Sequence, residues 1–112
     1  MSSVPVRLTA ADLGLSDAGL GTAATLLQIS SGFCAPCRAA RHVLAHVAQE
    51  TAGVTHLEVD VAHNTTLAAR LMITQTPTVL LLDADGAVRS RHEGVPRLAD
   101  VRVAVGPLVP AQ

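Results

Sequence analysis

The chain contains two cysteines, Cys34 and Cys37, spaced C-x-x-C within Phe33-Cys34-Ala35-Pro36-Cys37-Arg38. The apolar run Ala24 to Ile29 precedes the pair, and an amphipathic stretch, Ala39 to Thr51, follows it. Strand, cysteine pair and helix in that order form the context in which the motif reads as a redox site. A sulfur at a helix N-terminus meets unpaired N–H groups and the positive end of the helix dipole, and both favour thiolate over thiol. A second sulfur three residues later allows the pair to exchange disulfides with another molecule. The competing readings are a pair of inert buried thiols or half of a zinc knuckle. A tetrahedral zinc site wants about four ligands, and no second C-x-x-C or H-x-x-x-H cluster is aimed at the pair. His42 and His46 stand four apart, a spacing that can bind metal, but with no evident third ligand they read as a solvated helix face. No metal site is therefore expected.

Those cysteines need a scaffold, and the totals allow one. A length of 112 residues suits one domain spanning 1–112, and 49% apolar residues supply a core. The net charge of −1 gives no electrostatic case for nucleic acid or an anionic membrane surface. All eight basic residues are Arg. Phe33 is the only aromatic residue, so the core must come from Val, Leu, Ala and Ile. An exposed Phe33 would mark a binding contact and a buried one would be filler. The N-terminus lacks a basic region followed by an apolar one, and no stretch approaches the roughly 20 apolar residues of a membrane span. A cytoplasmic setting is expected, where a catalytic disulfide is allowed and a structural one is not.

The elements that must position the pair follow from periodicity. Val4 to Leu8 alternates weakly and is read as a first strand. Thr9-Ala10-Ala11-Asp12 has the form of a capping box opening a short helix. Gly14, Gly19 and Gly21 make the next stretch a loop. Thr22 to Ser30 is a buried strand. In the helix after Cys34, the residues Ala40, Val43, Leu44, Val47 and Ala48 share one face, and Gly53 ends it. Val54 to Val59 is a strand with Asp60 at its end. Asn64 or Thr65 caps a helix running to Arg70. Thr78 to Leu82, the turn Asp83-Ala84-Asp85-Gly86 and Ala87 to Arg91 form a hairpin. Pro96 fits the first turn of a last helix that Gly106-Pro107 stops, and Pro110 to Gln112 is a tail. The order β-α-β-α-β-α-β-β-α predicts an α/β fold, with a central mixed β-sheet flanked by helices on both faces.

These residues resemble the thioredoxin family. Phe33-Cys34-Ala35-Pro36-Cys37-Arg38 looks like the family's W-C-G-P-C-K. Val59-Asp60 ends the strand after the long helix. Thr76-Pro77-Thr78, about forty residues beyond the cysteines, stands where the family has its cis-proline. Asp85-Gly86 and the later Gly94 match the hairpin turn and the glycine before the last helix. The resemblance runs from about Thr22 to Val105. Three departures stand out: Phe33 replaces a tryptophan, Ala35 replaces a glycine, and Gln28 stands in place of the buried aspartate six residues before the first cysteine. The lysine that often accompanies that aspartate falls at His56.

The resemblance implies the thioredoxin fold and a thiol–disulfide oxidoreductase that reduces protein disulfides. Cys34 would be the exposed nucleophile and Cys37 the sulfur that resolves the mixed disulfide. Phe33, Ala35, Pro36, Thr76, Pro77 and Gly94 would face the substrate, with the Thr76 backbone turned toward Cys34 by a cis bond. Gln28 cannot titrate and can only hydrogen-bond, so a water chain or His56, which titrates near neutral pH, would move the proton, while the stronger reading makes His56 a partly exposed strand residue without catalytic work. Arg38 either favours the thiolate or is solvated. No bound cofactor is expected beyond the Cys34–Cys37 disulfide itself. The implied partners are disulfide-containing proteins and an NADPH-dependent flavoprotein reductase. The alternative is a non-catalytic interaction module of the same fold, and a third reading is a metal carrier.

Overall fold

A computed structural model describes residues 6–15 and 19–110. Four strands form one sheet in the order β2-β1-β3-β4: β1 is Ala24–Ser30, β2 Val54–Asp60, β3 Thr78–Asp83 and β4 Val88–Glu93. β1 pairs in parallel with β2 and antiparallel with β3, and β3 pairs antiparallel with β4, which makes the sheet mixed. Among the described residues three α-helices accompany it: α1 is Ala35–Glu50, α2 Thr65–Arg70 and α3 Leu98–Val105.

Every residue of β1 is buried, because the strand lies inside the sheet and both its faces are covered. Side chains alternate across a strand. Ala24 and Leu26 therefore pack with Val79 and Leu81 of β3 and with Leu44 and Val47 of α1 and Val101 and Val105 of α3. Leu27 and Ile29 pack on the opposite face with Leu80 and Leu82, against Leu67 of α2 and against Leu8 and Leu13. The same alternation puts Gln28 on the Leu26 face, under the start of α1, where a polar side chain has no access to water.

The long helix starts earlier than the amphipathic pattern alone implies. Ala35 and Pro36 are already helical, since proline suits the first turn, where its missing N–H costs nothing. The helix ends at Glu50, and Gly53 makes the turn into β2 with φ of 86°. Between β3 and β4, Asp83 holds the turn: its Oδ1 accepts from the N–H groups of Asp85 and Ala87 at 2.9 and 3.0 Å. Gly86 in this turn has φ of 84°, and a Cβ there would collide with the carbonyl oxygen of Leu8. Gly86→Ala is therefore expected to lower stability by about 1–3 kcal/mol through backbone strain, read as a lower urea midpoint at unchanged slope.

Several boundaries differ from expectation. The strand expected at Val4 to Leu8 is only a single bridge, Arg7 to Ala87, in the described residues 6–8, while Val4 and Pro5 lie outside them. Leu8 serves as a core plug there, 1% exposed. The capping box is real, with Thr9 N–H donating to Asp12 and Asp12 N–H to Thr9 Oγ1, but it opens one 3-10 turn, Ala11–Leu13. Asn64 gives α2 no side-chain cap; its amide donates instead to the Asp60 carbonyl. Asp60 caps an unexpected 3-10 turn, Val61–His63, by accepting from Ala62 N–H. Strand β4 runs to Glu93. Pro96 precedes α3 instead of entering it, because Arg97 is still extended (φ −84°, ψ 140°). Gly106-Pro107 does not stop the chain's winding: Gly106 has ordinary right-handed angles, and a 3-10 turn, Gly106–Leu108, continues α3. Of the expected tail, Ala111 and Gln112 lie outside the described residues. Among the described residues no helix is long and apolar enough to cross a membrane.

Candidate active site

β1 ends at Ser30, and four residues later Cys34 opens α1 as its N-cap with extended backbone angles. Cys37, one turn on, is 1% exposed and joined to the half-buried Cys34 by a disulfide, with Cα atoms 5.2 Å apart. The Cys37 backbone N–H donates to Cys34 Sγ at 3.1 Å. That bond and the dipole of the sixteen-residue helix place positive potential on the Cys34 sulfur, the arrangement that lowers a thiol's pKa when the bridge is opened.

Thr76 reaches the same sulfur from across the sheet. Its carbonyl oxygen is 3.9 Å and its hydroxyl 4.0 Å from Cys34 Sγ, and its Oγ1 shares a 2.8 Å hydrogen bond with Ser31 Oγ. The Thr76–Pro77 peptide is cis. Gly94 joins this group, its N–H donating to the Pro77 carbonyl at 2.8 Å. Phe33 is fully exposed and sits on left-handed backbone, φ 54°. Its ring is therefore not core filler. Ala35 and Pro36 are exposed on the first turn. An open cleft of about 450 Å³ runs beside Cys34, with Ser31, Gly32, Phe33, Arg38 and Asp60 in its walls. Arg38 has no carboxylate partner among the described residues and faces this cleft.

Beneath the disulfide lies a closed polar network. The amide nitrogen of Gln28, whose side chain is wholly buried, donates to the Cys37 carbonyl at 2.7 Å and to Ser30 Oγ at 3.0 Å. Its Oε1 faces His56 Nε2 at 3.0 Å. The amide cannot be reversed without setting oxygen against oxygen at Cys37, so the Gln28 oxygen is the acceptor and His56 Nε2 carries the hydrogen. Ser30 donates its one hydroxyl hydrogen to Glu58 Oε2 at 2.7 Å, and Arg41 grips Glu58 with two bonds of 2.7 and 2.8 Å. The structure therefore brings Gln28 and His56 together, as their placement implied. It also adds Ser30, Ser31, Arg41 and Glu58, which sequence reasoning missed. The available signal was weak: Ser30 shares Gln28's face by alternation, whereas Glu58 enters only through the β1–β2 register, which sets it opposite Gln28.

Arg41's hydrogen bonds hold the Glu58 carboxyl below the usual carboxylate range, against the opposing effect of burial. Burial pushes His56 below its ordinary value of 6.5; the Glu58 charge pulls it up and Arg41 pushes it down. As pH falls, the unfolded chain thus takes up the His56 proton first. The stability from a neutral His56 is full above about pH 6.5 and declines as pH drops through the lower folded value. His56→Gln is expected to remove that decline, checked by urea denaturation at about pH 7.5 and about pH 5.5. His42 and His46 stand apart from the cysteines, His46 beside Glu50 and Arg102 on the surface. Among the described residues no cluster of three His, Cys, Asp or Glu could hold a metal ion.

Comparison with known proteins places this arrangement. A mutant thioredoxin from Halobacterium salinarum superposes with a TM-score of 0.72 at 20% identity, over 81% of this chain and 79% of that one. Chloroplastic thioredoxin z gives 0.69 at 26% identity, over 78% and 79%. Fasciola hepatica thioredoxin gives 0.67 at 24% identity, over 79% and 83%. No curated protein sequence matches the chain significantly. The family model described as thioredoxin matches residues 19–103, most of the chain. On that match the chain belongs to the thioredoxin family, and with its cysteines paired at the head of α1 it is in general terms a thiol–disulfide oxidoreductase.

Proposed function

We propose that the protein reduces disulfides in other proteins, acting as one domain in the cytosol. The observation that carries this reading is the Cys34–Cys37 pair at the start of α1, with the Cys34 sulfur 3.9 Å from the Thr76 carbonyl and beside an exposed Phe33. The reduced Cys34 thiolate attacks a substrate disulfide, forming a Cys34–substrate bond and expelling one substrate thiolate. Cys37 loses its proton and attacks Cys34 Sγ; the second substrate thiolate leaves and the ring closes. Two electrons pass from the pair to the substrate. The dithiol is regenerated by an NADPH-dependent flavoprotein reductase.

An extended substrate segment lies along Thr76-Pro77, using the Thr76 backbone in the manner of strand addition, with Phe33, Ala35, Pro36 and Gly94 around it. Gln28 and His56 serve proton handling by orientation. Gln28 does not titrate, and since His56 commits Nε2–H to Gln28, its titration falls on Nδ1. Insulin reduction driven by dithiothreitol tests the function: wild type accelerates precipitation and Cys34→Ser leaves only the background rate. Equal rates for the two would favour the alternative, a non-catalytic module binding partners at Thr76-Pro77.

A further inference from the structure

Gln28 takes part in three hydrogen bonds, and every hydrogen in its network has one direction. His56 N–H points to the Gln28 oxygen; the two amide hydrogens point to Cys37 and Ser30; the Ser30 hydroxyl points to Glu58; Arg41 points to Glu58 from the other side. The Cys37 carbonyl fixes which end of the Gln28 amide faces it, and the Glu58 carboxylate fixes the Ser30 hydroxyl, so that Ser30 offers Gln28 only a lone pair. Without Glu58 the Ser30 hydroxyl rotates freely, the second amide hydrogen of Gln28 loses its fixed acceptor, and the side chain is held less firmly at the Cys37 carbonyl. Cys37 is in the first turn of α1, where its own N–H is spent on Cys34 Sγ and its side chain is sealed from water. Once the ring opens, the S–S bond no longer ties Cys37 to Cys34. The Gln28 bond to its carbonyl then remains to fix this turn against β1.

We propose that Glu58 and Ser30 are positioning residues for the second exchange step, acting through Gln28 to hold Cys37 within reach of Cys34. Neither touches a sulfur. Arg41, a surface residue one turn beyond Cys37, completes the device by fixing the carboxylate, so an exposed ion pair governs the geometry of a buried thiol. Ring closure is an intramolecular reaction whose rate depends on alignment, and small displacements slow such steps severalfold to a hundredfold.

This inference rests on the exchange mechanism above, and one experiment separates the two. The reduced protein is mixed with a chromogenic aryl disulfide. Attack by Cys34 releases the first aryl thiolate and ring closure by Cys37 releases the second, so two phases appear. Ser30→Ala and Glu58→Ala are expected to leave the first phase unchanged and to slow the second by about tenfold. The double variant should be no slower than either single one, because both break the same chain. Ser30→Thr, which keeps the hydroxyl, should restore the rate. A second phase unchanged in both single variants, or effects that multiply in the double variant, would overturn the positioning role. Absence of the first phase in wild type would instead sink the exchange mechanism itself. Urea midpoints of each variant identify any slowing that comes from a loosened fold.

Discussion

Cys37→Ser is expected to accumulate as a covalent mixed disulfide with its substrate, while Cys34→Ser forms none. The two sulfurs are not equivalent. Cys34 is half-buried at the N-cap, faces Thr76 and receives the Cys37 N–H at 3.1 Å, whereas Cys37 is 1% exposed. An incoming disulfide can meet only the first. With Cys37 replaced by Ser, the adduct on Cys34 has no neighbouring thiol to displace it and must wait for one from solution. Its lifetime should lengthen by on the order of a thousandfold, since an aligned intramolecular attack has been exchanged for a bimolecular one. Mass spectrometry under non-reducing conditions, with a disulfide-containing protein such as insulin, reads the adduct directly. An adduct of equal abundance on either single variant would show that the burial of Cys37 does not direct the attack.

Leu44→Ala should produce the largest loss of stability, about 2–5 kcal/mol, the usual range for emptying a sealed leucine site. Leu44 has no exposed surface and lies in the cluster that joins α1 to Leu26, Val79 and Leu81 of the sheet and to α3. Cys37, Ala40 and Val47 lie on the same buried side of α1. The cavity therefore loosens the helix that carries both sulfurs. Urea denaturation followed by far-ultraviolet circular dichroism measures the effect. A change below about 1 kcal/mol would mean the site collapses around the alanine, and the helix is then held chiefly by other contacts.

Much of this protein was legible before any tertiary contact was known, because local chemistry dictates it. The apolar run at β1, the amphipathic face of α1, the hairpin glycine at Gly86 and the cysteines before a helix are all short-range patterns, and each fell where it was expected. The boundaries that moved did so for local reasons with tertiary outcomes. Thr9 and Asp12 make their capping box and then only one 3-10 turn. Val6 to Leu8 finds a single bridge, Arg7 to Ala87, just before β4, and Leu8 contributes more as a plug than as a strand residue.

The sequence by itself determined the strand–cysteines–helix order, and with it the kind of sulfur chemistry the chain can perform, since a helix N-terminus and a C-x-x-C spacing act over a few residues. The tertiary structure alone decided which groups surround those sulfurs. Thr76 lies 42 residues from Cys34, and Glu58 lies 28 from Ser30. Their meeting depends on the antiparallel β1–β3 and parallel β1–β2 registers, in which a slip of one residue would turn each side chain to the opposite face. Hydrogen bonds require that placement to within fractions of an ångström, and no pattern read along a single chain fixes distances between strands so finely.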